Sequence, residues 1–250
     1  MTGLVKQLGL IGKVLSHSFS KSYFNQKFDT LGITGYRYDL FELESIDEFF
    51  PLLAAHPQLV GLNVTIPYKQ QVMPFLEEIS DEAGKIGAVN VIKIEHGKLS
   101  GYNSDYYGFK ASLLSWLPAG WQGKALILGT GGASLAVINV LKDCNIPFQL
   151  VSRQSGPDRV TYEEAEELDL VSSHQLIINS TPLGMQPNIL TAPALNYQKI
   201  GQNHFLYDLV YNPETTQFMR LGSNQGARVK NGLEMLELQA EKSWEIWTGR

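Results

Sequence analysis

The sequence is poor in cysteine and has no long apolar run. One cysteine, Cys144, among 250 residues leaves no partner for an internal disulfide and no thiolate set for a structural zinc site. It falls in an apolar stretch, where a small buried hydrophobe is the expectation. No run of about 18 apolar residues is present to span a bilayer. The first residues, MTGLVKQLGLIGK, lack the apolar core and small-residue cleavage site of a secretory signal, so a cytoplasmic chain is expected. Positive charge is also short: 20 Lys and Arg against 25 Asp and Glu give −5. That balance argues against a surface that neutralises phosphate backbone, and nucleic acid is not an expected partner. The histidines His17, His56, His96, His174 and His204 are scattered without ligand spacing, each expected at the surface or in a structural role, and no metal is expected. What is present, 44% apolar with 18% charged residues, excludes disorder and suffices for one large domain or two small ones.

Two patterns alternate along the chain. Leu8 to Ile11, Val60 to Ile66, Ala125 to Leu128, Phe148 to Val151, Leu176 to Ile178 and Phe205 to Leu209 read as strands, with stretches of helical period between most of them. From Tyr68 to Ile79 the residues Val72, Phe75, Leu76 and Ile79 fall at i, i+3, i+4 and i+7 and predict one helix. Strand and helix in succession imply an α/β fold with parallel sheets and right-handed crossovers. The exception is AVNVIKIEHGKLSGYN over residues 88–103, a predicted hairpin joined by His96-Gly97. A helix from Asp105 to about Trp116 follows, and a domain boundary is expected near residue 103. Leu233, Leu236, Ala240, Trp244 and Trp247 form one stripe of a final helix.

After the strand ending at Leu128 comes Gly129-Thr130-Gly131-Gly132-Ala133-Ser134 and then an apolar helical stretch. Such a turn either serves as a plain connector or lets backbone N–H groups and the positive helix end approach a pyrophosphate, the dinucleotide context. Ser134 holds the third glycine position of the usual pattern. An acid about 20 residues later would meet a ribose hydroxyl, yet the next strand ends Val151-Ser152-Arg153-Gln154. If Arg153 is more than a surface charge, its planar donors suit a 2′-phosphate, which favours NADP over NAD.

The first half carries four polar segments. His17-Ser18-Phe19-Ser20 follows the first strand, where the two hydroxyls either cap a helix or meet a ligand. In Gly61-Leu-Asn63-Val-Thr65-Ile-Pro67-Tyr-Lys69 a strand runs into a helix, with Pro67 at its start. Lys69, in the first turn, is either an ordinary surface lysine or one held beside the positive helix end and suited to proton transfer. Asp105 opens the helix after the hairpin, where an N-cap role alone would explain it. With Asn63, Asn90 and Asn103 near strand ends, Lys69 and Asp105 would line a polar cleft for a hydroxylated ligand.

These segments, with Gly87 to Asn90, Gly101 to Asp105, Ile178 to Met185, Tyr207 to Thr216 and Asn231 to Gln239, resemble the shikimate dehydrogenase family in ordered matches along almost the whole chain. The resemblance implies an N-terminal α/β substrate domain, residues 1–103 with 232–250, and a C-terminal Rossmann-type dinucleotide-binding domain, residues 104–231, facing each other across a cleft. It implies reversible NADPH-dependent reduction of 3-dehydroshikimate to shikimate, in chorismate and aromatic amino acid biosynthesis, with Lys69 and Asp105 as the catalytic pair. Ser18, Ser20, Thr65, Lys69, Asn90, Asp105, Tyr211 and Gln239 match substrate-binding positions. Gly129, Thr130, Gly131, Gly132, Ala133, Ser152, Arg153, Asn179, Ser180, Thr181, Leu209 and Gly232 match cofactor-binding ones.

The chain departs from the family pattern at Val14, Lys21 and Phe24, where Pro, Pro and His are common. Ser152 replaces a usual Asn, and the second basic residue expected shortly after Arg153 is missing unless Arg159 substitutes. Glu234 stands where Gly is frequent. Two rival readings remain at this point: a quinate/shikimate dehydrogenase using NAD, and a non-catalytic binding or regulatory protein, which would be expected to have lost the Lys69 and Asp105 pair. Monomer and homodimer are both compatible with the sequence. Because both implied ligands are anionic and the chain is negative, binding has to rest on local groups such as Lys69, Arg153 and the Gly129 turn.

Overall fold

The computed structural model describes residues 5–15 and 18–249. The chain forms two compact units, one built from the residues up to Ser104 together with those from Ala240 onward, the other from Asp105–Gln239. Both are α/β, each around its own six-stranded sheet.

In the first unit, β1 (Lys6–Gly12), β2 (Tyr36–Glu42) and β3 (Leu59–Val64) are parallel and are linked through α1 (Phe19–Thr30) and α2 (Phe49–Ala55). Then come α3 (Tyr68–Gln71), β4 (Glu78–Ile79), α4 (Asp81–Ile86) and the antiparallel pair β5 (Val91–Glu95) and β6 (Lys98–Tyr102). The order β2-β1-β3-β5-β6-β4 is mixed, with β5 antiparallel to β3. The predicted hairpin is present. Its two-residue turn has φ of 54° at His96 and 82° at Gly97, the left-handed pair whose twist matches that of the flanking strands.

The single helix predicted over Tyr68–Ile79 is not formed. Helix α3 stops at Gln71, a short 3₁₀ turn spans Met73–Phe75, and Glu78–Ile79 pairs with β6 as a strand. Pro74 is the reason: it has no N–H to donate, and its ring collides with the carbonyl four residues back. Val72, Phe75, Leu76 and Ile79 nevertheless all reach the core cluster around Phe49, Leu62 and Ile92. The opposite sheet face packs Leu8, Phe24, Phe28 and Tyr38 against Ala240 and Trp247, and Trp247 Nε1 donates to the Ile92 carbonyl at 3.0 Å.

The second unit begins in α5 (Ser104–Trp116) and continues through β7 (Ala125–Leu128), α6 (Gly132–Asp143), β8 (Phe148–Ser152), β9 (Arg159–Thr161), α7 (Tyr162–Glu167) and α8 (Leu170–Ser173). It is completed by β10 (Leu176–Asn179), β11 (Phe205–Asp208), α9 (Gln217–Ser223), β12 (Arg228–Lys230) and the start of α10 (Leu233–Thr248). All its strands are parallel, in the order β12-β11-β10-β7-β8-β9. The chain therefore winds outward from β7 in one direction, then crosses to β10 and winds the other way. That reversal is the topological switch point, and ligands of open parallel sheets bind outside the strand ends there. Every residue of β7 and β10 is buried, as a central strand covered on both faces requires. The faces are filled by one cluster around Phe109, Ile127, Val137 and Tyr207 and another around Leu126, Val151, Ile177 and Phe218.

Candidate functional site

In the first unit the polar segments gather at the carboxyl ends of β1 and β3. The Thr65 amide donates to the Ile11 carbonyl at 2.9 Å, the Val64 amide to the Asn90 carbonyl at 2.9 Å, and the Val89 amide to the Lys69 carbonyl at 2.8 Å. The loop after β1 is held by Glu42, which accepts from the Leu15 amide at 2.7 Å. His17 lies outside the described residues. Ser18 occupies the N-cap position of α1, yet its side chain makes no capping bond, and its Oγ is buried with no partner among the described residues. Structural capping therefore does not account for this hydroxyl. Lys69 stands in a helix of only four residues, Tyr68–Gln71, so the long dipole that the sequence pattern suggests is absent.

A buried polar network missed in the sequence runs through this unit. Tyr38 donates to Asn63 Oδ1 at 2.8 Å, and Asn63 Nδ2 donates to Ser243 Oγ at 3.0 Å and to the Asn90 carbonyl at 3.3 Å. Ser243 Oγ and Ser104 Oγ are 3.2 Å apart. The Asn90 side chain closes the network: Nδ2 donates to Ser104 Oγ at 3.1 Å and Oδ1 accepts from the Ser104 amide at 2.7 Å. Burial pushes the Tyr38 phenol well up, keeping it protonated as the donor to Asn63. The network fixes the rotamer of Asn90, while Asn63, 5% exposed, is a structural member of it. Asn103 Nδ2 donates to the Ala88 carbonyl at 2.9 Å. No sequence signal marks Tyr38 or Ser243 beyond their types.

In the second unit a pocket of about 800 Å³ opens at the switch point, lined by the Gly129–Gly131 turn, Ser152–Gln154, Arg159, Tyr162 and Ser180–Leu183. Gly129 has φ of 103°, and a Cβ there would stand 2.9 Å from Ser180 Oγ. At Gly131 and Gly132 a Cβ would meet nothing within 4 Å, and Gly131 caps α6 with no side-chain hydrogen bond. The first N–H groups of a twelve-residue helix thus face an unobstructed approach. Ser134, 1% exposed, donates to the Gly131 carbonyl at 2.6 Å and closes the turn from beneath. Ala133 follows in the first turn of α6.

The other end of the pocket is basic. Ser152 Oγ donates to the Gln154 carbonyl at 2.5 Å and accepts from its amide at 3.2 Å, shaping the turn that carries Arg153 outward. Arg159 enters from β9, and its Nε is buried with no hydrogen-bond partner among the described residues. None of the lining residues is acidic. An orphaned guanidinium nitrogen, a second arginine and no ribose-binding carboxylate fit a dinucleotide with a phosphate on its ribose. Arg159 therefore stands in the same pocket as Arg153, two arginines reached from different strands.

Asn179, Ser180, Thr181, Leu209, Tyr211 and Gly232 lie at the carboxyl ends of β10 and β11 and on the approach to α10. Ser180 Oγ donates to the Leu128 carbonyl at 2.7 Å. The Leu209 amide donates to the Asn179 carbonyl at 2.9 Å. A Cβ on Gly232 would fall 2.2 Å from the Leu209 carbonyl oxygen, so only a bare backbone fits. Tyr211 is half-buried, which raises its phenol pKa. Asp105 lies in the first turn of α5, one residue after its start, rather than capping it. Gln239 is buried on α10, and a Cβ on Gly108 would meet its Cβ and amide at 3.0 Å. Glu234 is tied in: Oε2 accepts from Ser112 Oγ at 2.8 Å and pairs with Lys230 at 2.5 Å, contacts that hold its carboxyl below the usual range. Among the described residues no cluster of His, Cys, Asp or Glu could hold a metal, and no helix is long and apolar enough to cross a membrane.

A mixed-sheet unit followed by a parallel, doubly wound unit with a basic pocket at its switch point places the protein in the class of two-unit α/β proteins with a Rossmann-type, nucleotide-binding topology. Residues 10–92 match the profile of the family described as shikimate dehydrogenase substrate binding domain. The chain is 43% identical to the shikimate dehydrogenase (NADP(+)) of Clostridium beijerinckii, across 96% of this chain and 90% of that protein. Among solved structures, shikimate dehydrogenase 1 of Peptoclostridium difficile is 36% identical with a TM-score of 0.83, covering 98% of this chain and 92% of that one. The shikimate 5-dehydrogenase of Thermus thermophilus, solved with NADP(H) and shikimate, is 28% identical with a TM-score of 0.86 over 98% and 94%. The chain belongs to the shikimate dehydrogenase family.

Proposed function

We propose that this chain reduces the ring ketone of 3-dehydroshikimate to shikimate with NADPH, reversibly, on the way to chorismate and the aromatic amino acids. Within a family of that activity, the observation that carries the cofactor half of the reading is the switch-point pocket that joins Arg153 and Arg159 and contains no carboxylate. NADPH, when bound, supplies a hydride to the carbonyl carbon. The remaining chemistry falls to the protein. Lys69 and Asp105 form the catalytic pair that holds a proton at the carbonyl oxygen and delivers it as the alcohol forms. Ser18, whose hydroxyl has no partner among the described residues, acts with Ser20, Thr65, Asn90, Tyr211 and Gln239 to bind the carboxylate and ring hydroxyls. The Gly129–Ala133 turn takes the pyrophosphate. Ser152 and Arg153, joined by Arg159, take the 2′-phosphate, and Asn179–Thr181, Leu209 and Gly232 receive the nicotinamide. The first unit is the substrate domain and the second the NADP domain.

A site of hydroxyls and amides leaves buried groups unpaired when a substrate hydroxyl is missing, so selectivity is expected to be strict. The test is a steady-state matrix of NADP+ and NAD+ against shikimate and quinate. NADP+ with shikimate is expected to give the highest kcat/KM. A preference for NAD+ with quinate would transfer the chain to the quinate-oxidising branch, and tight shikimate binding without turnover would make it a binding protein. In the same assay Lys69→Ala is expected to lower kcat by about 10²-fold or more with a modest change in KM; an unchanged kcat removes Lys69 from the chemistry.

A further inference from the structure

Asp208, the last residue of β11, is fully buried, and every group that holds it is neutral. Its Oδ1 accepts from Asn179 Nδ2 at 2.9 Å and from the Val210 amide at 3.0 Å, and its Oδ2 accepts from Thr216 Oγ1 at 2.6 Å. Burial outweighs these bonds and pushes the carboxyl up to about 6. The bonding continues outward on both sides. Asn179 Oδ1 accepts from the amide and the hydroxyl of Thr181 at 3.0 and 2.6 Å, which sets the orientation of the Asn179 amide. Thr216 Oγ1 accepts from the Met219 amide at 3.3 Å as the N-cap of α9. Three donors converge on one side chain, and only an acceptor at both oxygens satisfies them all; the carboxylate is the side chain that offers this.

The location gives the arrangement its meaning. β10 and β11 lie on the opposite side of β7 from β8 and β9. With the pyrophosphate at the start of α6 and the phosphorylated ribose at the end of β8, the other half of a dinucleotide extends toward the ends of β10 and β11. The loops found there, residues 179–183 and 209–216, are the ones this carboxylate ties together.

We propose that Asp208 is a positioning residue for the nicotinamide half of the cofactor, holding the Asn179–Thr181 turn and the backbone after β11 in the shape that receives the ring. The proposal rests on the reading of the pocket as an NADP site. It is tested on the full chain by calorimetric titration of wild type and Asp208→Asn with NADP+ and with adenosine 2′,5′-bisphosphate, which lacks the nicotinamide half. Asn keeps the volume of Asp and places a donor where an acceptor is required. The expected result is a rise of about tenfold in the Kd for NADP+ with the Kd for adenosine 2′,5′-bisphosphate within twofold. In turnover the KM for NADPH rises while that for 3-dehydroshikimate does not. Equal weakening of both probes, or an unchanged NADP+ affinity, overturns the positioning role. Failure of the wild-type chain to bind either probe overturns the pocket reading itself and the proposal with it. Should Asp208→Asn fail to fold, Thr216→Val removes one of the three donors without changing the side-chain shape and is read by the same ratio, with a loss of about threefold confined to NADP+.

Discussion

Gly129 has φ of 103°, and a Cβ on it would meet Ser180 Oγ and Thr181 Cγ2 at 2.9 Å, whereas Gly131 two residues later has a φ of −79° and open space around it. An L side chain is strained and crowded at the first position and neither at the second. Gly129 is thus required by the fold, whereas nothing in the fold requires a glycine at Gly131. Gly129→Ala is expected to lose about 1–2 kcal/mol of stability or more. Gly131→Ala is expected to stay within about 1 kcal/mol of wild type, because alanine restricts the unfolded chain at no native cost. Its NADP+ affinity is nevertheless expected to fall about tenfold if the turn takes the pyrophosphate as proposed, since the new methyl would stand in its path. Thermal melts paired with cofactor titrations separate the two outcomes, and normal binding by Gly131→Ala would sink the assignment of the turn.

At the level of elements, periodicity read well where one pattern acted alone. The central strands, the hairpin with its His96-Gly97 turn, and helices α5 and α10 lie where the apolar spacing puts them. Edge strands β2, β9 and β12 escaped, because their half-buried residues give no apolar run. The segment from Tyr68 misled because burial and helix share a spacing, and Pro74 decided between them. The glycine turn and Arg153 are legible as candidates by type and order, and both line the pocket at the switch point. The hydrogen bonds of Asp208, Tyr38 and Ser243 are not, since each depends on partners distant in sequence. Glu234, without a clear purpose in the sequence, gains one in the structure: it joins α10 to α5 through Ser112 and to β12 through Lys230, and Tyr207 donates to Ser112 at 2.8 Å behind it. Glu234→Gly is therefore expected to destabilise the chain by about 2 kcal/mol, combining a glycine in a helix with a Ser112 O–H donor that has lost its acceptor. Glu234→Gln, which keeps an acceptor for Ser112, is expected to lose less than half of that. Urea midpoints test this, and equal losses in the two variants would show that the ion pair with Lys230 carries the effect instead.

At the scale of the whole molecule, a chain of charge −5 is read as binding a cofactor with several negative charges. Long-range repulsion and local attraction act over different distances. Charges spread over the surface are screened beyond about 8 Å at physiological salt, whereas a guanidinium at about 4 Å from a phosphate is worth about 4 kcal/mol at an effective dielectric of 20 before desolvation is subtracted. Arg153 and Arg159 line the pocket, so local attraction is expected to win and salt to weaken binding. Between 50 and 500 mM NaCl the Kd for adenosine 2′,5′-bisphosphate should rise about tenfold in the wild type, because salt competes with the arginines for the phosphate. Removing both arginines takes the formal charge from −5 to −7. The repulsion then lacks its local opponent, and the same titration should show a flat or slightly reversed salt dependence at much weaker affinity. NAD+, which carries no 2′-phosphate, should respond only weakly to salt in wild type and variant alike. A double variant that kept the wild-type slope would locate the phosphate contacts elsewhere and leave the preference for NADP without a basis in this pocket.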